Sequence, residues 1–274
     1  MYNIIFFPIT FLKYIVLCEF LYHYNIKNKS NHDFQISKEM ILSTIPNSNK
    51  NIILNKIMNL KIIFDDKIHY CMNSKGLESF IYLDISTSEL YIIFNSTEVD
   101  FTMDFVKDIT NCLKMKKKTI GTDKKILVHS GYYNLLYEEN FINNIFRHIE
   151  EKNFVNVNII GHSAGGGMAT ILSYILLKKY PNIKINLNTF GSIRVGNKNF
   201  IDYLAKSKNI IITTIINNHD FAPLFCPNYN HFDKIITITN NKTIVNDTII
   251  SIRNNYSITN HYFINYYTNL YNLI

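Results

Sequence analysis

Apolar and polar positions settle into readable periods only from Phe80 onward. Phe80–Asp84 and Leu90–Phe94 are β-rich runs joined by a Ser/Thr-rich turn, which predicts a hairpin. Asp104–Lys116 has the spacing of an amphipathic helix and leads into a basic loop, Lys116–Lys125. A short strand, Ile126–Val128, then ends at His129-Ser130-Gly131. Phe141, Ile145, Phe146 and Ile149 recur at helical spacing and predict a helix within Glu138–Lys152. Beyond it strand and helix alternate: strand Val155–Ile160, helix Ala164–Tyr180 stopped by Pro181, strand Ile185–Phe190, helix Asn197–Lys206, strand Ile210–Asn217. Ile235–Thr239 and Thr243–Ile250 close as a hairpin through Asn240-Asn241. This alternation predicts an α/β fold with a mostly parallel central sheet and helices on both faces. No repeat or linker divides the chain. We expect one domain, with residues 1–79 as a helical or irregular segment packed on a core at 80–274.

The first 79 residues carry a weaker signal. Ile4–Leu21 is largely apolar, but Lys13 and Glu19 interrupt it and Pro8 breaks it. No basic segment precedes the run and no small-residue cleavage site follows, which favours a buried helix over a signal peptide. Two charges near its centre disfavour a membrane span. Asn25–Lys67 mixes short apolar runs with Asn, Ser and Lys clusters; within it Met40–Ile53 reads as helix up to Ile45-Pro46.

Composition narrows the classes. With 47% hydrophobic and 18% charged residues among 274, the chain can fill a sizeable core and does not resemble a disordered one. The net charge of +7 suits an anionic surface such as lipid headgroups, and equally a surface of solvated lysines. No RNA-binding signature, basic heptad or zinc-finger spacing accompanies it, so nucleic acid is set aside as a partner. Cys18, Cys71, Cys112 and Cys226 form no CxxC pair, and neither a metal site nor redox chemistry is expected.

The densest chemical signal is Gly161-His162-Ser163-Ala164-Gly165, a GxSxG pattern between a predicted strand and a predicted helix. In that context Ser163 occupies a strained turn that lifts its hydroxyl above the sheet, and side chains at Gly161 and Gly165 would collide. The helix beginning at Ala164 aims unpaired N–H groups at the reacting oxygen, so the Ala164 N–H is an expected oxyanion donor. Gly166 and Gly167 read as packing residues that let this helix approach a neighbour.

Further blocks now fall into place in order. Gly161–Gly166 is similar to the GHSLGG elbow of the class 3 (fungal-type) lipases, and Thr189–Asn197 resembles their TFGSPRVGN segment with Ile193 in place of proline. Val128–Tyr132 is similar to VHSGF, and Asp100–Phe105 to DWxxDL. The resemblance covers roughly Phe80 to Tyr266 and implies the α/β-hydrolase fold and a cofactor-free ester hydrolysis. It implies Asp220, in Asn218-His219-Asp220-Phe221-Ala222-Pro223, as the acid of a Ser-Asp-His triad, with Asp202, Asp233 and Asp247 as rivals. For the base it points to His261 near the C-terminus, with His231 as the rival, His219 expected to point away and His162 expected to be packed. It implies Thr97 as a second oxyanion donor, although the family's FRGT is here Phe94-Asn95-Ser96-Thr97, without the arginine and glycine.

By the same resemblance the interval Phe101–Lys118 stands where the family has a lid helix. Two readings of it are open: a lid that covers the site and meets lipid through Lys116, Lys117 and Lys118, and an ordinary amphipathic core helix followed by a solvated loop. The expected substrate is a lipid ester, acylglycerol or phospholipid, met at a membrane or droplet surface by a soluble chain, secreted or peripherally attached. Two other readings stay open: a lipase-like binding or scaffold protein, and an esterase of small soluble esters.

Overall fold

A computed structural model describes residues 7–22, 33–36, 51–52, 54–56, 68–72, 78–84, 89–94, 117–121, 123–151, 154–239, 242–246 and 257–273. Helix α1 (Phe7–Tyr22) opens it, followed by strands β1 (Asp33–Ile36), β2 (Ile68–Met72), β3 (Glu78–Asp84) and β4 (Glu89–Phe94). A small hairpin, β5 (Lys117–Thr119) and β6 (Leu127–His129), leads into α2 (Ser130–Tyr137) and α3 (Phe141–Glu151). The centre of the chain is β7 (Asn156–His162), α4 (Ala164–Lys179), β8 (Lys184–Phe190), α5 (Lys198–Lys206) and β9 (Ile210–Asn217). Strands β10 (Ile235–Thr239) and β11 (Lys242–Asn246) and helix α6 (Phe263–Tyr271) complete it.

Among the described residues these strands form one nine-stranded sheet in the order β1-β2-β3-β4-β7-β8-β9-β10-β11. The run β4-β7-β8-β9-β10 is parallel, while β1 to β4 and β10-β11 pair antiparallel. Alternation along β4 explains the layers: Leu90, Ile92 and Phe94 face α3, α4 and α5, whereas Tyr91 and Ile93 face α1 and α6. Both faces of the parallel strands are therefore covered, which the near-continuous burial of β7 reflects. Helix α4 is buried from Ala164 through Leu176. Its two mid-helix hydroxyls are satisfied within the helix, Thr170 Oγ1 donating to the Gly166 carbonyl and Ser173 Oγ to that of Ala169.

The expected mostly parallel sheet flanked by helices is observed, and the elements from β7 to β9 fall within two residues of their predicted bounds. Three local expectations change. Pro8 does not break α1: it sits in the first helical turn, where a missing N–H costs no hydrogen bond. Leu12, Ile15, Val16, Leu17 and Cys18 of that helix are buried against the sheet and α6. The basic loop holds strand β5, and Lys118 is occupied, its Nζ donating to Asn134 Oδ1 at 2.8 Å and lying 4.4 Å over the Tyr133 ring. Helix α2 begins directly after β6 because His129 caps it, its Nδ1 accepting from the Tyr132 N–H. The predicted helix over 104–116, most of that over 40–53 and the last residues of the closing hairpin lie outside the described residues. Among those described, no helix is long and apolar enough to cross a membrane.

Candidate active site

Strand β7 ends at His162 and α4 begins at Ala164, so Ser163 alone makes the turn, at φ 57° and ψ −125°. That conformation costs a non-glycine residue about 1–3 kcal/mol and persists only where its surroundings enforce it. Here they do. The Ser163 N–H donates to the Phe190 carbonyl at 2.9 Å, and the Ser163 carbonyl accepts from the Gly166 N–H at 3.1 Å. A Cβ at Gly161 would lie 2.2 Å from the Gly165 carbonyl oxygen, so the turn closes only with glycine there. Gly166 and Gly167 bring α4 against Ser192, Ile193 and Val195, the packing role expected of them. Ala164 is the first residue of α4, and its N–H is one of those that no helical carbonyl reaches.

Asp220 and His261 meet beside this turn, 41 residues apart in sequence. Asp220 follows β9 through a turn in which His219 takes φ 59°. His261 closes a short 3-10 turn, Thr259–His261, just before α6. Backbone pairing joins the two segments, the Ser257 N–H donating to the His219 carbonyl at 3.1 Å. His261 Nδ1 lies 2.9 Å from both carboxylate oxygens of Asp220. A carboxylate only accepts, so Nδ1 carries the proton and Nε2 is left as the basic nitrogen. Nε2 is buried and has no hydrogen-bond partner among the described residues. Ser163, Asp220 and His261 are 6%, 2% and 3% exposed, which places all three in a low-dielectric interior.

Asp220 is held by more than the histidine. Its Oδ1 accepts from the Ala222 N–H at 2.9 Å, and its Oδ2 from the Tyr266 hydroxyl at 2.6 Å. Burial and the neighbouring Asp220 charge push the Tyr266 hydroxyl well above its ordinary pKa, so it remains a donor. Gly191, at φ 52°, makes room for the pair: a Cβ there would lie 2.3 Å from Asp220 Oδ2 and 3.1 Å from His261 Nδ1.

The rivals lie elsewhere. His231 donates from Nε2 to the Pro223 carbonyl at 2.8 Å, and burial pulls its pKa down to about 4, so it is a neutral, occupied ring. Asp202 and Asp233 pair with Lys198 at the surface. Asp247, the Asn95-Ser96-Thr97 loop and the interval 101–116 lie outside the described residues. Sequence reasoning passed over Tyr266 and Gly191. The +5 spacing of Tyr266 from His261 is no motif in a chain with 19 tyrosines, whereas Gly191 belonged to a recognised block without a role.

The family model described as lipase (class 3) matches residues 91–230, just over half of the 274-residue chain. The secreted mono- and diacylglycerol lipase MDL3 of Malassezia globosa is 28% identical over 104 residues, which cover 36% of this chain and 34% of that protein. The match thus spans about a third of that relative's length. Among solved structures, a fungal lipase bound to an inhibitor superposes with a TM-score of 0.65 at 16% identity, over 95% of this chain and 96% of that one. A triacylglycerol lipase whose catalytic centre is a serine protease triad superposes at 0.56 with 20% identity, over 69% and 76%. Identities this low speak for the fold, which is the α/β-hydrolase fold. With the family model matched across the elbow and Asp220, the chain belongs to the class 3 lipase family.

Proposed function

We propose that this protein hydrolyses carboxylic esters of lipids, acylglycerols or phospholipids, through Ser163, His261 and Asp220. The observation that carries the reading is the buried His261–Asp220 pair, joined at 2.9 Å beside a serine held in the nucleophile-elbow conformation. A likeness to lipases, one with a serine protease triad as its catalytic centre, supports the same assignment.

In this mechanism Ser163 Oγ attacks the ester carbonyl while His261 Nε2 takes its proton. Asp220 orients the ring and stabilises the imidazolium. The Ala164 N–H, with Thr97 as its expected partner, holds the tetrahedral oxyanion, each donor contributing about 100- to 1,000-fold. The imidazolium then protonates the leaving alkoxide, and the alcohol departs. Water, deprotonated by the same histidine, attacks the acyl-enzyme and releases the carboxylic acid.

Replacement of the family's arginine and glycine by Asn95 and Ser96 favours a second reading, a lipase-like binding protein with little turnover. Hydrolysis of emulsified diacylglycerol and of dispersed short-chain p-nitrophenyl esters separates them. We expect turnover that is abolished in S163A, and a rate that rises once the substrate forms an interface. Saturation below that concentration would indicate an esterase of soluble substrates. Equal, negligible rates for wild type and S163A on both substrates would favour the binding protein.

A further inference from the structure

The candidate base is carried by a turn that is fastened to the sheet by side chains from two different strands. His162, the last residue of β7, donates from Nε2 to the His261 carbonyl at 2.9 Å. Asn217, the last residue of β9, donates from Nδ2 to the Asn260 carbonyl at 2.8 Å, and its own Oδ1 accepts from Asn269 at 2.6 Å. Consecutive carbonyls of the His261 turn are thus each held by a buried group at a strand end. The His162 ring also stacks on the His261 ring, centroids 4.4 Å apart and planes 29° apart, with Phe263 at 4.4 Å from His162 as well.

We infer that His162 is a positioning residue for His261: through its Nε2–H it fixes the backbone that carries the base, and through its ring face it fixes the plane of the imidazole. This rests on the catalytic roles proposed above and extends them to a residue that a sequence reading assigns to packing. The carbonyl accepts, so the His162 proton must sit on Nε2. Burial, reinforced by the neighbouring His261, holds the His162 pKa well below its ordinary value. The stacked ring therefore stays neutral and does not oppose the positive charge that His261 gains in each half-reaction. A misplacement of about 1 Å in a reacting group costs about 100-fold in rate, so one lost anchor is enough to be seen.

Two variants divide the role. Phenylalanine at 162 keeps a ring to stack but has no donor; glutamine brings an amide N–H to about the place of Nε2. We expect H162F to lower kcat on a soluble p-nitrophenyl ester about 10- to 100-fold with KM changed less than about threefold, and H162Q to recover most of that loss. Residue 162 that merely fills space would give the opposite order, phenylalanine being the better packer, with activity following melting temperature. H162F within about twofold of wild type, while S163A is inactive, would overturn the inference and leave the triad standing. A reporter independent of turnover is the downfield proton NMR signal of the His261 Nδ1–H bonded to Asp220. The inference requires its loss or broadening in H162F and its return in H162Q; an unchanged signal in folded H162F contradicts it, whatever the protein does to esters.

Discussion

The Tyr266 hydroxyl donates to Asp220 Oδ2 at 2.6 Å, so the carboxylate that faces His261 is also tethered to helix α6. Hydrogen bonds to charged groups contribute about 1.5–3 kcal/mol. In Y266F Oδ2 of a buried carboxylate loses one of its two donors, and the less constrained carboxylate orients His261 less well. We expect kcat on a soluble ester to fall at least about tenfold, with a lowered melting temperature. Activity within twofold of wild type would show that the Ala222 N–H and His261 hold Asp220 unaided.

Gly191 tests the same geometry from the opposite side. Its φ of 52° strains any other residue, and a Cβ would press on Asp220 Oδ2 at 2.3 Å. The backbone penalty alone is about 1–2 kcal/mol. Gly191→Ala is expected to lower stability by at least that amount and activity more than about 100-fold, because the clash moves the acid itself. A folded variant with an unchanged rate would mean that the pair adjusts without losing its alignment.

Acidification should destabilise the fold through the partly buried, neutral His231. His231 has an ordinary pKa of 6.5 and about 4 in the folded protein. Between those values the unfolded chain binds more protons, so stability is intact above pH 6.5 and is lost as pH falls toward 4. H231Q keeps a donor for the Pro223 carbonyl but cannot titrate. Urea unfolding at pH 7.5 and 4.5 should show wild type losing roughly 2–3 kcal/mol more than H231Q over that interval. Equal losses would mean that His231 is protonated in the folded state.

The N-terminal helix is anchored by charge as well as by apolar contact. Lys56 Nζ reaches the two carboxylate oxygens of Glu19 at 3.0 and 2.8 Å and lies 4.4 Å over the Tyr267 ring of α6. Both side chains are nearly buried. Removing one partner of such a pair leaves an uncompensated charge and typically costs about 3–5 kcal/mol. K56M should lose that much in denaturant unfolding, and K56M/E19L should recover most of it. A K56M protein as stable as wild type would show Glu19 to be solvated.

What could be read from the sequence follows how local each determinant is. Ser163 was legible because strand, turn and helix are contiguous, and the close approach that requires glycine at 161 is to the backbone of residue 165 in the same motif. The parallel core was legible for the same reason, in the alternation of apolar strands and helices from β7 to β9 and in the long, largely apolar α4. Strand β5 was not: Lys117-Lys118-Thr119 has no apolar alternation, and it is a strand because β6 lies beside it. Pro8 was misread because its meaning depends on its position in the helix, and Ile4–Leu21 did not mark the start at Phe7.

The remainder of the site is non-local. Asp220 and His261 were reached only through family resemblance, and no spacing rule joins Gly191, Asp220, His261 and Tyr266. Four segments converge there because the sheet brings the ends of β8 and β9 together, and α6 returns over them. His162 was visible but assigned to packing, since the carbonyl it holds lies 99 residues later.

The central claim is that Ser163 is an activated nucleophile. Incubation with a fluorophosphonate probe, in detergent or with lipid vesicles so that any cover over the site can open, tests it most directly. Attack by Ser163 Oγ forms a phosphonate ester and expels fluoride. Peptide mass spectrometry should then find the adduct on Ser163 in wild type and no labelling in S163A. Wild-type protein that is folded yet unlabelled under all these conditions, or labelled at another residue, would contradict the account.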